Sequence, residues 1–148
     1  MQKFSKGKIV RIFIGSQKGV SKTSVSSAKL ISDHGMSGDY HAGVKPHRQV
    51  SLFANEALHE IQNAGIVVTP EELSTNLLTE GIGIDALVTG TKLKIGTAII
   101  EISEARKPCG SLTKIDKRLP KATYLRCGQF GRVLTGGVIH AGDVIEIL

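Results

Sequence analysis

Cys109 closes the run Glu104-Ala105-Arg106-Lys107-Pro108-Cys109-Gly110, which sets a thiol in a turn beside two basic side chains. Pro108 cannot donate to a sheet ladder and Gly110 tolerates dihedrals that other residues avoid. A strand entering this run therefore stops there and leaves the sulfur at a surface or cleft. Arg106 and Lys107, with the free N–H groups of a following helix start, lower a thiol from about 8.5 toward neutrality. The thiolate so formed is a nucleophile and a soft metal ligand. The alternative is a buried structural cysteine, the commoner fate of a free Cys. Flanking Lys-Pro and Gly, rather than aliphatic residues, favour the reactive thiol.

Other polar residues gather earlier in the chain. Gly35-Met36-Ser37-Gly38-Asp39-Tyr40-His41-Ala42-Gly43 packs three more glycines around an Asp and a His, as a ligand-contacting loop does and a strand or helix does not. His47, Arg48 and Gln49 follow, just before an apolar stretch. Asp39, His41 and His47 lack any standard zinc spacing, so loop hydrogen bonding explains them better than a metal does. For Arg48, a structural salt bridge and a bound phosphate are equally good readings. The segment 15–23 has the flavour of a phosphate-binding loop, but Ser21 precedes Lys22 where that motif needs Gly, and the upstream glycine spacing is wrong. Lys22 remains an ordinary basic residue able to reach an anion.

What must position these groups is a chain of 148 residues, enough for one domain that folds without disulfides or a structural metal. Two cysteines carry no disulfide framework and fit a reducing compartment, so cytoplasm is the expected location. The first residues have no apolar core of signal-peptide length, and no stretch approaches the ~20 apolar residues of a membrane helix. The net charge of +6 is weighted toward the first thirty residues and suits an anionic partner. With no Trp and few Phe or Tyr, stacking platforms are scarce. A phosphorylated small molecule is a better partner than nucleic acid.

Periodicity predicts many short strands: residues 7–14, 26–32, a hairpin of 93–95 with 98–103 turning at Gly96, then 132–134 and 144–148. Residues 55–64 carry a helical period through Ala57, Leu58 and Ile61, with Asn55 able to cap and Gly65 ending it. A second short helix is expected over 111–117, and the basic stretch 114–126 reads as an exposed excursion forming a mobile rim. Frequent strands, 17 glycines and little helix predict a mainly β fold, a closed or nearly closed β-barrel with a few short helices. An α+β sandwich is the rival.

Taken in order, the blocks Gly38-Asp39-x-His41-x-Gly43, His47-Arg48-Gln49-Val50-Ser51-Leu52, Asn76-Leu77-Leu78-Thr79-x-Gly81-Ile82, Gly90-Thr91-x-Leu93-x-Ile95-Gly96, Lys107-Pro108-Cys109 and Gly136-Gly137-Val138 with Gly142-Asp143 resemble the MOSC domain. That family is named for the C-terminal domain of molybdenum cofactor sulfurases, and the resemblance spans residues 8–148, implying a single MOSC-like domain. It implies a β-barrel and a role for Cys109 as persulfide carrier or molybdenum ligand of a bound molybdopterin. It makes Lys22, Arg48, Gln49 and Asn76 candidates to hold the pterin and phosphate, with His41 and His47 lining the entrance. The chain departs from the pattern at Ser74-Thr75-Asn76, where many members have Gly-Glu-Asn, so of that block only Asn76 carries over.

Without the pyridoxal phosphate domain of the sulfurases, the chain is expected to need a cysteine desulfurase or other sulfur donor. A molybdoenzyme or cofactor-biosynthesis protein would be its acceptor. Without flavin or iron–sulfur domains, any redox chemistry needs separate electron carriers. Three readings follow: a sulfur-transfer protein, a stand-alone molybdoenzyme reducing N-hydroxylated compounds, and a non-catalytic cofactor carrier. Cys127, in Leu125-Arg126-Cys127-Gly128, could resolve a persulfide or pair with Cys109. An ordinary buried or loop cysteine is its simpler reading.

Overall fold

A computed structural model describes residues 5–148. Its elements in chain order are β1 (Lys6–Ile14), β2 (Thr23–Val25), β3 (Ser27–Ile31), β4 (Gly35–Met36), β5 (Val50–Ala54), α1 (Asn55–Asn63), β6 (Leu77–Glu80), β7 (Lys92–Ile95), β8 (Ala98–Ala105), α2 (Leu119–Ala122), β9 (Gln129–Thr135), β10 (Gly137–His140) and β11 (Val144–Ile147). Seven strands form a ring in the order β11-β7-β8-β9-β5-β6-β1, closed by pairing of β1 with β11. The predicted barrel is therefore the fold, and the sandwich is not. Closure leaves the ring without an unpaired edge. Only β5 and β6 run parallel, with α1 in the chain between them. β2 extends the outer end of β1, and β10-β3-β4 make a second small sheet.

Alternation fills the barrel. In β7 the exposed Lys92 and Lys94 alternate with buried Leu93 and Ile95, and in β8 Ala98, Ile100 and Ile102 point inward. β5 is buried along its whole length. The helix contributes Ala57, Leu58 and Ile61, as its period predicts. Asn55 does not cap it: the capping position is Ala54, and the Asn55 amide instead donates to Glu80 at 3.1 Å.

Two further expectations need correction. The helix expected over 111–117 is a single 3₁₀ turn, Gly110–Lys114. The basic stretch 114–126 exposes Lys114, Lys117, Arg118 and Lys121 as expected, but it is anchored rather than free, because α2 buries Leu119 completely and Thr123 turns its hydroxyl back onto the Leu119 carbonyl at 2.8 Å.

Candidate functional site

β8 delivers the thiol. Its ladder with β9 ends where the Arg106 N–H donates to the Gly128 carbonyl at 3.0 Å, and Pro108 then prevents the pairing from continuing. At this crossing Gly128 adopts φ +88°, and a side chain there would run into the Leu52 backbone carbonyl, so only glycine fits. Cys109 follows in extended backbone and opens the 3₁₀ turn, whose Leu112 is buried and fixes the turn to the body.

The Cys109 side chain is exposed, and its sulfur lies 2.7 Å from the Ser111 hydroxyl. That hydroxyl is the chief reason the thiol sits below its ordinary range. The Ser111 and Leu112 N–H groups and the charge of Arg106 act in the same direction, against a smaller opposing effect of burial. The direction is the expected one, but its main agent is Ser111 rather than the basic neighbours. A hydroxyl two residues after a turn cysteine is a legible local hydrogen-bond signal, and it was the one missed.

Cys109 and Ser111 share a cavity of about 390 Å³ with Arg106, Tyr40, His41 and Phe130. Arg106 donates from Nη2 to the Leu73 carbonyl at 3.0 Å and lies 5.5 Å from the centre of the Phe130 ring. No carboxylate among the described residues pairs with it, and its buried Nη1 has no hydrogen-bond partner. Burial pushes the guanidinium below its ordinary range, with partial compensation from Cys127, Cys109 and Tyr40. It nonetheless stays charged at neutral pH.

Of the residues singled out from sequence, His41 reaches this cavity and Lys22 supports it from behind. The Lys22 ammonium is fully buried. It donates to Asp39 at 2.6 Å, lies 3.2 Å from His41 Nδ1, and rests 4.3 Å from the Tyr40 ring centre. Asp39 also accepts the Gly15 N–H at 2.8 Å and the His41 N–H at 3.2 Å. Burial alone would raise Asp39, but these bonds and the Lys22 charge outweigh it and hold the carboxyl well below the usual range. Lys22 is thus the inner half of an ion pair that fixes the Tyr40-His41 corner, not a free cation in the cavity.

Arg48 lies one cavity away. It pairs with Glu104 at 2.8 Å, packs 5.2 Å from the Phe130 ring centre, and lines an adjoining space of about 380 Å³ that shares Tyr40, His41 and Phe130 with the first. His47 is exposed and belongs to neither wall; its carbonyl accepts the Ser103 hydroxyl. Gln49 and Asn76 are buried, and their amides are consumed by the framework. Gln49 donates to Asp33 at 3.2 Å and accepts the Val133 N–H at 2.9 Å. Asn76 accepts the Ser51 N–H at 3.0 Å and donates to the Phe13 carbonyl at 3.2 Å, tying β1, β5 and β6 together. Neither lines the thiol cavity.

Cys127 is buried, and burial pushes its thiol up. It faces a different cavity, of about 640 Å³, with Asp85, Lys107 and Gln129, and Arg106 borders both spaces. Both cysteines are free. No trio of His, Cys, Asp or Glu able to hold a metal exists among the described residues. One open soft sulfur beside a guanidinium with no carboxylate partner among the described residues fits an anionic cofactor that carries its own metal.

No helix among the described residues is long and apolar enough to cross a membrane. Solved structures that share the fold include the following three. YuaD from Bacillus subtilis is 19% identical, with a TM-score of 0.86 over 96% of this chain and 95% of that one. YiiM from Geobacillus stearothermophilus is 24% identical, with a TM-score of 0.76 over 96% and 75%. YiiM from Escherichia coli is 21% identical, with a TM-score of 0.73 over 96% and 69%. A search of curated proteins finds no significant match. The model of the MOSC domain matches residues 38–146, which contain Cys109, Arg106 and the Asp39-His41 corner, and the chain belongs to that molybdenum-cofactor-related family.

Proposed function

We propose that this protein carries sulfur on Cys109 in molybdenum-cofactor-related chemistry. The observation that carries this reading is the Cys109 sulfur itself: exposed, held toward the thiolate by Ser111, and facing a cavity whose guanidinium has no counter-ion among the described residues. A thiolate of this kind attacks a sulfur donor and keeps the outer sulfur as a persulfide. A persulfide anion is an acceptable partner for Arg106, and His41, braced by Lys22 and Asp39, lines the same cavity. The donor is a cysteine desulfurase or another sulfur source, and the acceptor a molybdoenzyme or a cofactor-assembly protein. Bound molybdopterin would supply a soft, redox-active metal, with Cys109 and Arg106 the residues to hold it.

A second reading rests on the same exposed, soft sulfur, which suits a metal as well as it suits a sulfur donor. On it, Cys109 is a lasting ligand to the cofactor's metal, and the protein reduces N-hydroxylated compounds with outside electron carriers. Expression in a host that makes the cofactor, followed by metal content and intact mass for wild type and Cys109→Ser, separates the two. Sulfur on Cys109 without stoichiometric molybdenum supports carriage. Stoichiometric molybdenum lost in the variant supports ligation.

A further inference from the structure

Cys109 and Arg106 make a complementary pair that a bulky protein donor does not require. The nucleophile is exposed at a cavity of about 390 Å³, and among the described residues the cation beside it has a buried N–H group with no partner and no carboxylate in ion-pair reach. Lys114 and His41 line the same space; its one carboxylate, Glu72, already accepts the Thr69 N–H at 3.0 Å and the Thr69 hydroxyl at 3.1 Å. An unpaired guanidinium in a cavity of small-molecule size is a recognition element for a planar or tetrahedral oxyanion.

We infer that the site loads sulfur directly from a small sulfane-sulfur oxyanion of the thiosulfate class, with Arg106 binding its sulfonate end. This rests on the reading of Cys109 as a sulfur carrier and names the donor. The Cys109 thiolate attacks the outer sulfur of thiosulfate and forms a new sulfur–sulfur bond as the donor's own sulfur–sulfur bond breaks. The bonding pair leaves with sulfite, a dianion that Arg106 stabilises as its charge develops. No proton moves and no outside oxidant or reductant is needed, because sulfite departs as a stable anion and the transferred sulfur stays on Cys109 as a persulfide anion.

Purified protein is mixed with sodium thiosulfate and no desulfurase, and sulfite release is followed together with intact mass. Expected is one sulfite per chain, one added sulfur on Cys109, none of either in Cys109→Ser, and competitive slowing by inorganic sulfate. Arg106→Gln should lose about ten- to a hundredfold in the second-order rate for thiosulfate. Its alkylation by neutral iodoacetamide, measured at a pH where the thiol is fully ionised, should stay within about twofold of wild type, and Arg106→Lys should fall between. Wild type that takes sulfur from a desulfurase but not from thiosulfate overturns this inference alone. Wild type loaded by neither overturns the carrier reading as well. Sulfite release by Cys109→Ser, or an Arg106→Gln rate equal to wild type, refutes the assigned roles.

Discussion

Replacing Asp39 with Asn tests the corner that holds the Tyr40-His41 wall. Asparagine keeps the size of the side chain and can still accept the Gly15 N–H, but it removes the only charge opposing Lys22, whose side chain has no solvent exposure. What remains around the ammonium is His41 Nδ1 at 3.2 Å and the Tyr40 ring at 4.3 Å. Breaking one partner from a buried pair costs about 3–5 kcal/mol. The cost also has a ceiling, since Lys22 can escape by releasing its proton. From an ordinary lysine value near 10.4, that release costs about 4.6 kcal/mol at pH 7 and about 1.9 kcal/mol at pH 9. Urea unfolding should therefore find Asp39→Asn less stable than wild type by about 3–5 kcal/mol at pH 7 and by no more than about 2 kcal/mol at pH 9. A deficit below about 1 kcal/mol at pH 7, or one that does not shrink with rising pH, would refute the reasoning.

Ser111→Ala should raise the Cys109 thiol, so that alkylation at neutral pH slows while the limiting rate at high pH is unchanged; a pH profile identical to wild type removes Ser111 from the account. Cys127→Ser should leave sulfur loading on Cys109 intact while lowering the melting temperature by a few degrees, because a hydroxyl replaces a buried thiol; lost loading would show that the two thiols cooperate. Acid titration reports Asp39 by sign. Its folded value is depressed, so its stabilisation is complete above the unfolded carboxylate value of 3.8 and is lost only as pH falls below that toward the folded one. Wild type should accordingly lose more stability than Asp39→Asn between about pH 4 and 2, and parallel losses would contradict the pair's strength.

The barrel was legible because β7 and β8 alternate and the Gly96 turn joins them into a hairpin. β5 and β6 were not read as strands, since a strand buried on both faces shows no alternation. The two-residue β4 is too short for any period. Within the site, Cys109 was singled out from its neighbours Arg106, Lys107, Pro108 and Gly110, as local chain chemistry. Gln49 and Asn76 show the opposite case: a polar residue inside an apolar block looks the same in sequence whether it reaches a ligand or pins a strand, and here both pin the framework through contacts 16 to 84 residues apart. Lys22 was identified as an anion reader; it does meet an anion, but one supplied by Asp39. Arg106 was noted as a neighbour of the thiol, while its lack of a counter-ion depends on where every acidic side chain lies in space.

The most direct measurement of the central claim is intact mass and peptide mapping of the protein after exposure to a cysteine desulfurase and cysteine, wild type beside Cys109→Ser. One cyanide-labile sulfur on the Cys109 peptide of wild type and none in the variant is the predicted result. Wild type left unmodified, or sulfur found equally on Cys127 and in the Cys109→Ser protein, would contradict it.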